Sequence, residues 1–215
     1  MAIATLPIVL AVVLTELAVG GALVQWYVDR GGRAPSGFLK LVGFVDVGAI
    51  AAALALVPTF PHGDLADRAG IDTGPLSAFG QILVVVAVLA IIQLVAAFLP
   101  SRGFRIASGV LASSVGAIAL GVIALARPIT NPSDLVATGL AIVALPLGAI
   151  ALGGLDGAML LGHWYLVTPK LSPGPLRQAA LLVVSGVALQ ILLLTVILVR
   201  GDLTGTWETA LAVAL

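Results

Sequence analysis

Six separated apolar runs constrain this chain more than any other feature. They cover 5–28, 38–58, 79–99, 106–126, 135–167 and 178–199. Each is near or above the roughly 20 residues that a helix needs to cross a hydrocarbon core. Backbone N–H and C=O groups find no water there, so a spanning segment must satisfy them within itself or in a closed barrel. Runs of this length predict helices. The expected fold is therefore all-α: a polytopic transmembrane helix bundle of six spans, forming one domain over residues 1–215.

Composition agrees and removes several classes of function. Only 9% of residues are charged, against about 25% in soluble domains. The longest polar stretch, 59–78, is short and reads as a loop, so no soluble domain is expected. Formal net charge is zero, which points to no nucleic-acid partner. The absence of cysteine excludes disulfides, thiolate metal sites and a cysteine nucleophile. No phosphate-binding glycine loop, Ser-His-Asp order or zinc-protease pattern is found.

The first run has no basic segment before it and is interrupted by Glu16, so it reads as a retained helix rather than a cleaved signal. The connectors alternate in charge. Arg30, Arg33, Lys40, Arg102, Arg105, Lys170 and Arg177 border the first, third and fifth, and Arg68, Arg127 and Arg200 the rest. The positive-inside rule places the odd connectors in the cytoplasm and the N-terminus outside. Trp26, Tyr27, Trp164 and Tyr165 then mark the inner interface, and Trp207 the outer one. Arginine-rich, Ala/Gly/Leu/Val-dominated usage suggests a bacterial inner (plasma) membrane. After Trp207 the chain ends at Leu215, too short to span; it either lies on the outer surface or begins a truncated seventh helix.

The fifth run, 135–167, is the longest and holds Asp156 and His163. These are seven positions apart, which at about 100° per residue puts them on one helix face. Ala149, Gly153 and Gly157 recur at four-residue spacing, as do Gly154, Ala158 and Gly162, which lets another backbone approach closely. This predicts a central position for the helix. At ~1.5 Å per residue it is about 50 Å long and must tilt, kink at Pro146 or project from the bilayer. The stripe Gly109, Ser113, Ala117 and Gly121 in the fourth run reads as a packing surface. A short echo, Gly43-Phe44-Val45-Asp46 against Gly153-Gly154-Leu155-Asp156, is compatible with an inverted three-plus-three repeat.

Three carboxylates interrupt apolar runs. Counted from the inner boundary, Glu16, Asp46 and Asp156 lie about 15, 9 and 12 Å deep, and Gln93 about 14 Å. A carboxylate facing lipid costs ~2.5–3.5 kcal/mol, so these acids should point into the bundle. Low-dielectric surroundings disfavour a charged carboxylate, and a group that readily changes protonation state is suited to storing or passing a proton. The alternative is a plain interhelical hydrogen bond.

His163 adds a second expectation. With Asp156 it could hydrogen-bond a quinone headgroup entering from lipid, with Trp164 or Tyr165 packing on the ring; the alternative is an interfacial anchor. A self-contained bis-histidine haem is not expected, because His62 and His163 fall on opposite sides of the membrane. His62, Asp64, Asp67 and Asp72 match no metal-site spacing and read as a solvated loop. The function expected from the sequence is that of a membrane subunit in a larger energy-transducing complex, handling protons or quinone through Glu16, Asp46, Asp156, His163 and Gln93. Other membrane subunits are its expected partners. A small proton-linked transporter and a purely structural anchor are the alternatives.

Overall fold

Each apolar run becomes a helix, and all of these helices but the one over 135–167 begin ahead of their runs. The computed structural model describes residues 2–126, 135–168 and 171–200. The order is α1 (Ala2–Asp29), α2 (Ser36–Leu56), a 3-10 turn (Val57–Thr59), α3 (Asp64–Ala69), α4 (Thr73–Ala96), α5 (Arg102–Ala124), α6 (Leu135–Val167) and α7 (Gly174–Arg200). Six of them, all but α3, are long and apolar enough to cross a membrane, so the chain is a multi-pass helical membrane protein. No strand occurs among the described residues. Arg127, Lys170, Trp207 and the tail to Leu215 lie outside the described residues, and so does the expected choice between a surface tail and a seventh helix.

Capping explains the overruns. The Gly74 N–H donates to Asp72 Oδ1 at 2.8 Å, which starts α4 at Thr73, ahead of the apolar run. The Phe104 N–H likewise donates to Ser101 Oγ at 3.4 Å, at the start of α5. The 59–78 stretch is only partly loop. It contains α3, which has Asp64 and Asp67 in its first turn and Arg68 in its last, the order that suits the helix dipole. So short a polar helix leaves no apolar period to read in a sequence.

The packing is organised around α1. It contacts α2, α5 and α6 extensively and α7 to a lesser degree. Helices α1, α2, α4 and α5 close a ring in which each touches the next, and the α6–α7 hairpin lies against α1, with α6 also on α5. This corrects the central position expected for 135–167. Within the protein, 56% of the α1 span is buried but only 11% of the α6 span. The small residues of α6 mark one tight seam instead of burial all round. A Cβ on Gly153 would stand 2.7 Å from Gly20 Cα, and Gly157 rests on Val24, while Leu155 and Met159 face outward. Helix α6 runs continuously through Pro146, and its ends at Leu135 and Val167 are exposed. The inverted repeat is not matched by the packing: α1 meets α6 closely, but the equivalent pair, α5 and α2, face each other across the ring with little or no contact.

The odd connectors gather at one end. Arg105 of α5 reaches Asp29 at the end of α1, and Trp164 of α6 covers Gly37 at the start of α2. At the other end the Asp72 N–H donates to Ala126 O at 2.6 Å. The first end carries Arg30, Arg33, Lys40, Arg102, Arg105 and Arg177, and is called the basic end below.

Candidate functional site: a polar layer inside the bundle

Two apolar clusters fill the interior. One, around Val12, Ile50, Phe79, Leu83 and Leu120, occupies the half away from the basic end. The other, around Val24, Val28, Phe38, Val42 and Leu161, lies near the basic end. Between and beside them sit the buried polar side chains: Thr15, Glu16, Gln25, Asp29, Asp46, Gln93, Ser108 and Ser113. Thr15 and Glu16 fall near the middle of α1, and Ser113 near the middle of α5. Asp46 is at the midpoint of α2, Gln25, Asp29, Gln93 and Ser108 lie toward the basic end, and no polar side chain is fully buried deeper in the far half among the described residues.

Asp46 is the focus of this layer. It is 3% exposed, on the α2 face turned toward α1. Gln25 Nε2 donates to Asp46 Oδ2 at 2.7 Å. The other oxygen, Oδ1, rests directly on Gly21, where any side chain would collide with it. Gly21, Gln25 and Asp29 recur at four-residue spacing on α1, so one helix stripe supplies a niche, a donor and a second acid. Gln93 of α4 closes the layer: its Nε2 donates to Ala22 O at 3.3 Å and lies over Gly109 of α5.

Toward the basic end the layer continues to an ion pair. Arg105 Nε donates to Asp29 Oδ2 at 2.8 Å, with Asp29 almost fully buried. Arg102 Nε donates to the Asp29 carbonyl at 3.1 Å, which also accepts from the Gly32 N–H at 2.7 Å, so this helix-end acceptor is doubly satisfied. Gly32, with φ of +68°, makes the left-handed turn that lets the chain leave α1 beside Arg102. Trp26 Nε1 donates to Ser113 Oγ at 3.1 Å and walls the same region. Gln25, Trp26, Asp29, Leu39, Gln93, Ala97 and Arg105 line a small cleft with room for about one water molecule.

The expected site residues divide into groups. Asp156 is half-buried on α6, which makes a small contact with α2, the helix of Asp46. Asp156 makes no hydrogen bond to another described residue. Glu16 stands apart: it is 2% exposed, also without a hydrogen-bond partner among the described residues, and faces α6, where a Cβ on Gly148 would lie 2.6 Å from Glu16 Oε1. From Gly21 to Glu16 is five residues, about 7.5 Å along α1. His163 is exposed near the end of α6. Trp164 packs on Gly37, and the Tyr165 hydroxyl donates to the Ser172 carbonyl, so both aromatics fasten α6 to its surroundings. None of the three lines the cleft.

Gln25, Asp29 and Arg105 are absent from the residues singled out in the sequence. The four-residue stripe on α1 was the available signal for the first two. Arg105 reads as an interfacial charge until the turn of 97–101 brings it back over α1.

No known family model, no curated protein and no solved structure matches this chain.

Proposed function

We propose that this protein is a membrane subunit that takes up and releases protons at Asp46, from the basic end only, within a larger energy-transducing assembly. The observation that carries this reading is the one-sided polar layer. A titratable carboxyl sits in a closed niche between helices, held by one amide donor, and polar groups run from it through Gln25 to the Asp29–Arg105 pair at the basic end, while away from that end the buried polar side chains stop at Thr15, Glu16 and Ser113. Beyond those residues the ring is filled by hydrocarbon.

Such an arrangement supports exchange with one side and opposes passage to the other. A chain of this kind must hand its proton to something else, which favours a role beside a partner over a self-sufficient transporter. Asp156 serves this reading as the second acid. It lies on α6, which also touches α2, the helix that carries Asp46. The Asp29–Arg105 pair and the single-water cleft form the approach from the basic end.

The test is Asp46→Asn, which keeps an oxygen to accept from Gln25 and removes the proton site. Infrared spectra of the purified protein across the physiological pH range should show a carboxyl carbonyl band that responds to pH in wild type and loses intensity in Asp46→Asn. An unchanged pH-dependent spectrum in the variant would sink the assignment. Wild-type protein alone in liposomes should not carry protons across the membrane; measurable flux would replace the subunit reading with a lone proton-linked transporter.

A further inference from the structure

At the basic end, on the outside of the bundle and away from the polar layer, a second constellation faces lipid. The Lys40 ammonium lies over the Phe98 ring, 4.5 Å from its centroid. Phe98 in turn meets Phe44 edge-to-face, with centroids 6.3 Å apart and planes at 83°. Both rings are more than half exposed, Phe98 at 55% and Phe44 at 58%. Phe44 is one turn from Lys40 on α2, about 6 Å further toward the middle of the membrane. Phe98 lies just past the end of α4. The order from the interface inward is therefore cation, ring, ring.

We propose that this α2–α4 face binds one anionic phospholipid, with its phosphate on Lys40 and the start of an acyl chain along Phe98 and Phe44. An aromatic face satisfies one side of an ammonium and leaves its N–H donors directed elsewhere. Lys40 has no carboxylate partner among the described residues; the ion pair at this end is Asp29 with Arg105. The surroundings reinforce the sign: Arg30, Arg33 and Arg102 share this end with Asp29 as the one opposing acid among the described residues. A phosphate is the complement of that charge, and the lipid-facing rings require that it come with a tail. Free phosphate would use the cation and leave the rings idle.

Native mass spectrometry of the full chain in mild detergent tests this. Phosphatidylglycerol should be retained in preference to phosphatidylcholine, and Lys40→Gln should weaken phosphatidylglycerol retention about fivefold, the effect of one interfacial cation. Phe98→Leu should weaken it less, because the charge remains. Arg177→Gln, on α7, should leave retention unchanged, and inorganic phosphate should not compete. The site is overturned if Lys40→Gln binds as wild type does, if Arg177→Gln loses as much, or if phosphate displaces the lipid. The same follows if the wild type shows no preference between the two lipids.

Discussion

Asp29 shows how much one buried charge depends on its partner. It is almost wholly enclosed at the end of α1, and Arg105, itself 20% exposed, supplies the only ion pair among the described residues. Removing the cation leaves a buried carboxylate without its direct counter-charge. Arg105→Gln should therefore lower stability by about 1.5–3 kcal/mol, in the range for hydrogen bonds to charged groups. Asp29→Asn in the same background should recover part of that loss, because the stranded charge is gone. Unfolding in detergent for both single variants and the double variant gives the coupling directly. Additive losses would mean that the pair contributes nothing beyond its separate contacts.

At the scale of helices, glycine decides how closely α1 and α6 approach. A Cβ on Gly20 would run into the Ala149 carbonyl and the backbone of Gly153, neither of which can rotate away. Gly20→Ala should cost about 1–3 kcal/mol, as overpacking does. Gly48 lies on an exposed face of α2 with nothing within 4 Å of its would-be Cβ, so Gly48→Ala should be neutral or gain up to ~1 kcal/mol from helix propensity. Thermal unfolding of the two variants side by side checks the seam; equal behaviour would show that α6 does not lie there. The contrast also shows what the sequence could tell. Apolar runs predict the six spans because hydropathy acts on each helix separately. The spacing of Gly153 and Gly157 predicts a seam but not its partner, so it suggested a central α6 when the hub is α1. Asp46 is legible as an acid that must be buried between helices, and it is 3% exposed. Gln25 is not legible, because an amide in a helix declares itself only when another helix brings an acceptor to it.

For the whole molecule the decisive property is asymmetry along the membrane normal. Cations collect at one end, buried polar side chains run from that end to the middle, and the remaining core is hydrocarbon. If the basic end faces the cytoplasm, as the positive-inside rule requires, the proposed proton exchange at Asp46 would be with the cytoplasm. If the chain is inserted the other way, the same cluster is charged from outside, and any coupling reverses in sense. The chain contains no cysteine, so single cysteines report orientation without background. Ser36 is exposed at the basic end and Asp67 at the opposite end. In right-side-out membrane vesicles an impermeant maleimide should label Asp67→Cys at once and Ser36→Cys only after the membrane is opened. The reverse pattern would leave the polar layer intact but turn its supply of protons to the outer side. The subunit reading would then need a partner that draws protons from there.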